Sequence, residues 1–156
     1  MHIAELGRLD GFRVGAVGPL LITVFHETAT LERLTLLEEL QGRFVATHPK
    51  MYALNVVVGQ SVKQPEVAVR EKAAAMQKRF DGSTAAAVTV LAVKGLAAAI
   101  ARGFMAALAL VSTGSKTTQV FKTVPEALAW LVALPGAPEL FKTVDAASVE
   151  AFVAQA

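Results

Sequence analysis

AAAVTVLAVKGLAAAIARGFMAALALVS, residues 85–112, decides how the chain folds. Its first part, residues 86–93, is a nearly unbroken Val-rich apolar run, the composition of a strand covered on both faces. Lys94-Gly95 breaks that run. Residues 96–111 then read as a helix that is apolar almost all round, and hence buried on most sides. The stretch is long enough to cross a bilayer, but three features oppose a membrane span. Lys94 and Arg102 are costly near a bilayer centre. Alanine supplies much of the apolar character, and the first third has strand rather than helix composition.

The flanking sequence reads as cover for these two elements. Strands at 12–17 and 20–26 border Gly18-Pro19, a tight antiparallel turn. Residues 28–47 form an amphipathic helix with Leu31, Leu34, Leu37, Leu40 and Phe44 at spacings of three and four. His48-Pro49 stops it. MYALNVVV, residues 51–58, is a strand apolar on both faces. Residues 65–80 form a second amphipathic helix, its inward stripe Val69, Ala73, Met76 and Phe80, with Glu66 and Arg70 spaced as an ion pair. Beyond the central stretch, 119–122 is a short strand. Thr123-Val124-Pro125-Glu126 is a capping box that opens a helix ended by Pro135-Gly136. Residues 145–154 make a last helix, laid on the outside or mobile. FKTV occurs at 121–124 and again at 141–144, read as a reused helix entry rather than a duplication.

The order β-β-α-β-α-β-α-β-α-α implies right-handed crossovers and a mostly parallel sheet, made mixed by the first hairpin. The expectation is a single α/β domain over residues 1–156, with its core at about 11–134 and a C-terminal helical extension at 137–156. The sheet has about five strands, with Trp130 packed beside it.

Composition narrows the function classes. A chain of 156 residues forms one domain with its own core. Hydrophobic residues make up 54% and charged residues 18%, against about 45–50% and about 25% in ordinary globular domains. So little polar surface implies that another subunit, a partner or an apolar ligand covers part of the exterior. The net charge of +2 is scattered, which argues against nucleic acid. There are no cysteines, hence no disulfide framework, thiol chemistry or Cys-based metal site. The start, MHIAELGRLDG, lacks the profile of a signal peptide, and a cytoplasmic location is expected.

Chemistry-bearing motifs are sparse. Gly114-Ser115-Lys116-Thr117 resembles the end of a phosphate loop, but position 109 is Ala where that pattern needs Gly, and the loop runs from helix to strand. His26 and Glu27 lie at a strand end, where α/β folds place ligands. His48 lies at the far end of the next helix, about 30 Å away at 1.5 Å per residue, so a shared metal site is not expected. For His26 a half-buried side chain with one hydrogen bond is favoured over catalysis. No carboxylate pair, nucleophile with a base or metal cluster is visible, so no catalytic, cofactor-binding or metal-binding residue is assigned and no cofactor is expected. Gly95, Ala99, Gly103 and Ala107 recur at every fourth position. Such a row serves either close packing on the sheet or a seam between subunits. With Arg102 its one charged residue, the helix needs cover. A homodimer with Ala99, Arg102, Gly103 and Ala107 in or beside the interface would supply it. The rival is that residues 145–154 fold back over the helix.

Residues 119–131, QVFKTVPEALAWL, resemble the closing segment of SpoIIAA-like (STAS-like) bacterial proteins, a strand giving V-F and then a helix reading x-x-E-A-x-x-W-L. The resemblance implies a mixed sheet with helices packed mainly on one face. It also implies a non-enzymatic fold, used in anti-sigma-factor antagonists and transporter tails. Regulatory members of the family carry a phosphorylated serine after the third strand in an Asp-Ser-Ser-Gly-like turn. Here that region reads Val58-Gly59-Gln60-Ser61-Val62-Lys63, which makes Ser61 the candidate regulatory residue; the acidic residue and the serine pair are missing. The functional expectation is a non-catalytic interaction or regulatory module. The alternative is a binding protein for an apolar small molecule or lipid, with an enzyme using His26 and Glu27 last.

Overall fold

Two glycine turns start the sheet. β1 (Ala4–Leu9), β2 (Phe12–Val17) and β3 (Leu20–Phe25) form an antiparallel meander. Leu9 faces Phe12 across Asp10-Gly11, and Val17 faces Leu20 across Gly18-Pro19. Gly11 and Gly18 have φ of 67° and 52°, the left-handed conformations that two-residue hairpin loops require and that glycine adopts without steric cost. β1 brings the sheet to six strands, one more than expected. The computed structural model describes residues 1–59, 63–111 and 117–155, with side chains omitted for 109–111.

From β3 onward, helices alternate with strands: α1 (Leu31–Thr47), β4 (Met51–Val57), α2 (Val67–Phe80), β5 (Thr84–Leu91), α3 (Gly95–Val111) and β6 (Thr117–Phe121). β3 to β6 pair in parallel and in chain order. Each crossover therefore steps the same way, and right-handed connections place α1, α2 and α3 on one face. α4 (Val124–Ala133) and α5 (Ala146–Ala154), with a 3₁₀ turn at Glu139–Thr143 between them, cover the other. Helices thus cover both faces rather than mainly one. Strand alternation divides the core accordingly. Ile22, Leu54 and Val88 pack against Leu131, Val149 and Phe152. On the other face, Phe12, Val14 and Leu21 pack against Leu37, Phe44 and Met76.

Helix entries follow local chemistry. Thr30 caps α1 by accepting the Arg33 N–H at 3.2 Å. Thr123 accepts the Glu126 N–H at 3.4 Å, and its hydroxyl donates to the Glu126 carboxylate at 2.8 Å. Only the first FKTV enters a helix directly; the second runs through the 3₁₀ turn, and Asp145 caps α5. Among the described residues the expected Glu66–Arg70 ion pair does not form. Glu66 is the N-cap of α2 and its carbonyl accepts the Arg70 N–H. Lys72 and Arg79 instead reach across to Glu38 of α1, at 3.2 and 3.7 Å.

The segment after residue 134 is built into the core. Phe141 stands edge-on to Tyr52, with ring centroids 4.9 Å apart, and Phe152 and Val153 are buried. Phe152 occupies space over Gly15, where any Cβ would lie 2.6 Å from its ring. Arg13, buried in β2, lies 3.9 Å over the Phe152 ring and donates to the Phe152 carbonyl at 2.8 Å. It also pairs with Glu5, and this hydrogen bond holds the Glu5 carboxyl below the usual range. His26 Nε2 lies 2.7 Å from the Val153 carbonyl. Arg13 and His26 thereby add side-chain partners to carbonyls in the last turn of α5, where the Gln155 N–H also turns back onto Phe152. Since α5 lies on the face opposite α3, it does not cover that helix.

Candidate functional site

The sheet face under α1, α2 and α3 is not filled. Strand register places its side chains in rows across β3, β4 and β5: Phe25, Val57 and Leu91; then Thr23, Asn55 and Thr89; then Leu21, Ala53 and Ala87. Above them stand Leu34, Leu37 and Gln41 of α1 and Ala73, Met76 and Gln77 of α2. α3 contributes Ile100, Ala101, Phe104 and Leu108. Between sheet and helices lies a cavity of about 540 Å³. It exists because alanines meet where branched side chains would otherwise interdigitate: Ala53 and Ala87 on the sheet, Ala73 and Ala101 on the helices. Its size falls within the roughly 300–1,000 Å³ of small-molecule sites.

The polar lining is graded. Among the described residues its ionisable members, Glu27, Lys63 and Arg102, are all exposed and mark the mouth. Glu27 and Lys63 follow β3 and β4, at the carboxyl end of the parallel strands where α/β sheets receive ligands. The Lys63 backbone N–H donates to Thr28 Oγ1 at 2.7 Å, which ties the segment entering α2 to the loop after β3. Deeper in are the half-buried carboxamides of Asn55, Gln41 and Gln77.

The expected site residues fall in different places. His26 turns toward α5 and Glu27 toward the cavity, so the two lie on opposite sides of the sheet. His26 is half-buried, with its ring nitrogen at the Val153 carbonyl. His48 caps the far end of α1, stacked on Phe44 with centroids 4.3 Å apart. Among the described residues no three His, Asp or Glu side chains are grouped to hold a metal ion. Ser61 and residues 112–116, including most of the phosphate-loop-like tetrapeptide, lie outside the described residues.

α3 is not buried on most sides. Among its described side chains only Ala98 and Ala101 are buried, and Leu96 is 77% exposed. Gly95, Ala99, Gly103 and Ala107 all face outward, with open space around Gly95 and Gly103, so the row does not serve packing on the sheet. Arg102 is exposed beside that row and reaches the cavity mouth. Apolar composition reports what a surface is made of, not whether another element covers it. Among the described residues no helix is long and apolar enough to cross a membrane.

Sequence reasoning missed the cavity as a place. Its signals were alanine at inward positions of strand and helix, and Asn55 inside an apolar strand. No protein-family model, curated protein or solved structure matches the chain.

Proposed function

We propose that the chain binds an apolar small molecule between its sheet and helices α1, α2 and α3. The cavity of about 540 Å³ carries this reading, being walled mostly by aliphatic and aromatic side chains, with the charges of its described residues at the mouth. Apolar cavities are poor sites for water, and unfilled walls forfeit dispersion contacts. A ligand that fills the space restores those contacts. The surplus of apolar residues over ordinary domains fits the same reading. Native mass spectrometry of protein purified from its own host tests it. The expected spectrum shows an added mass of a few hundred daltons that denaturing solvent releases; protein masses alone would count against a bound ligand.

The outer face of α3 favours a second reading, a protein-interaction module that pairs with its own copy. Leu96, Ala99, Gly103 and Ala107 present small and apolar groups to solvent, and a two-fold contact is the commonest way to cover such a face. The likeness of residues 119–131 to SpoIIAA-like proteins supports a regulatory role for that module. Sedimentation at micromolar concentration is expected to give a dimer that Ala107→Glu converts to monomer. A mass near 16 kDa for the unaltered chain at every concentration removes this reading.

A further inference from the structure

We infer that the part of the ligand inside the cavity is neutral and carries a hydrogen-bonding group, a hydroxyl above all, received by Asn55 and Gln41. This rests on the binding reading above. Among the described residues, every ionisable one lining the cavity is exposed, whereas the polar ones deeper in are neutral, the carboxamides of β4, α1 and α2 and the buried hydroxyls of Thr84 and Thr89 on β5. A carboxylate or phosphate drawn inside would lose its water and meet no cation among the described residues. Asparagine is a poor strand residue, yet Asn55 interrupts the apolar strand β4. Register sets it between Thr23 and Thr89, so a polar row crosses three adjacent strands. From the helix layer, Gln41 lines the same cavity, and its Oε1 is buried without a hydrogen-bond partner. Its terminal torsion is soft, so the carboxamide can turn to meet a ligand. A hydroxyl both donates and accepts, so it pairs with either orientation of that carboxamide. A purely hydrocarbon ligand would leave the Gln41 oxygen unsatisfied.

Fluorescence titrations of the whole chain with 2-naphthol and 2-methylnaphthalene, which differ by a hydroxyl against a methyl, test the inference. 2-Naphthoate serves as the charged analogue. For the unaltered protein, 2-naphthol is expected to bind at least tenfold more tightly than 2-naphthoate. Asn55→Leu, of similar size, is expected to shift the ratio of naphthol to methylnaphthalene affinity at least tenfold toward the methyl compound. Gln41→Met provides a second variant on a different element, expected to shift the ratio the same way. If both probes bind and neither variant moves the ratio, the inference is overturned while the cavity reading stands. Tighter binding of 2-naphthoate than of 2-naphthol also overturns it. If neither neutral probe binds, the cavity reading fails and takes the inference with it.

Discussion

Phe152→Ala is expected to destabilise the domain by about 3–5 kcal/mol, the range for removing a buried phenylalanine. The ring is buried with its edge against Gly15 and the Arg13 guanidinium 3.9 Å from its centroid. Gly15 has no side chain with which to fill the space. Arg13 is held by Glu5 and by the Phe152 carbonyl, so the void cannot readily collapse. The substitution also removes the cation–π contact and loosens α5 at the end that carries the Arg13 and His26 hydrogen bonds. Urea unfolding followed by Trp130 fluorescence reads the effect, since Trp130 packs against the same cluster. A cost below 1 kcal/mol would mean that α5 merely lies on the outside of the domain.

Ala101→Phe is expected to weaken binding of 1-N-phenylnaphthylamine at least a hundredfold while leaving the urea midpoint unchanged or raised. Ala101 is buried on α3 and lines the cavity. A ring placed there enters space already empty, and filling such space commonly adds stability. In a filled core the same insertion would cost about 1–3 kcal/mol through strain. The sign of the stability change therefore reports whether the cavity is open, and the loss of binding reports whether the probe uses it. Lost binding together with a collapse in stability would point to a closely packed interior.

Much of the fold was legible because its signals were local. MYALNVV and the Val-rich half of the central stretch read as buried strands, and β4 and β5 are those strands. Of the stripe Leu31, Leu34, Leu37, Leu40 and Phe44, the last four form the inward face of α1, while Leu31, in the first turn, is exposed. Thr123 and Glu126 marked the start of α4. What stayed hidden depends on where elements sit relative to one another. β1 has little apolar alternation, and its signal lay in Asp10-Gly11, the turn that pairs it with β2. α3 has apolar residues all round, but among the described residues no element covers its outer row of Gly95, Ala99, Gly103 and Ala107. α5 is short, and its anchoring depends on Arg13 and Gly15, more than 130 residues earlier. The cavity was the least legible feature. An alanine reads as good packing until three others are found facing it, and only register and crossover handedness bring Ala53, Ala73, Ala87 and Ala101 around one space.

That convergence gives the central claim its most direct measurement. Methyl NMR spectra of alanine-labelled protein, titrated with 1-N-phenylnaphthylamine, report on the inner and outer faces at once. Ala53, Ala73, Ala87 and Ala101 line the cavity, whereas Ala99 and Ala107 face outward on α3. The account predicts saturable shifts at the four inner methyls, complete at one probe per chain, with the two outer methyls unmoved. Shifts confined to Ala99 and Ala107, or no saturable shift at the inner methyls, would contradict it.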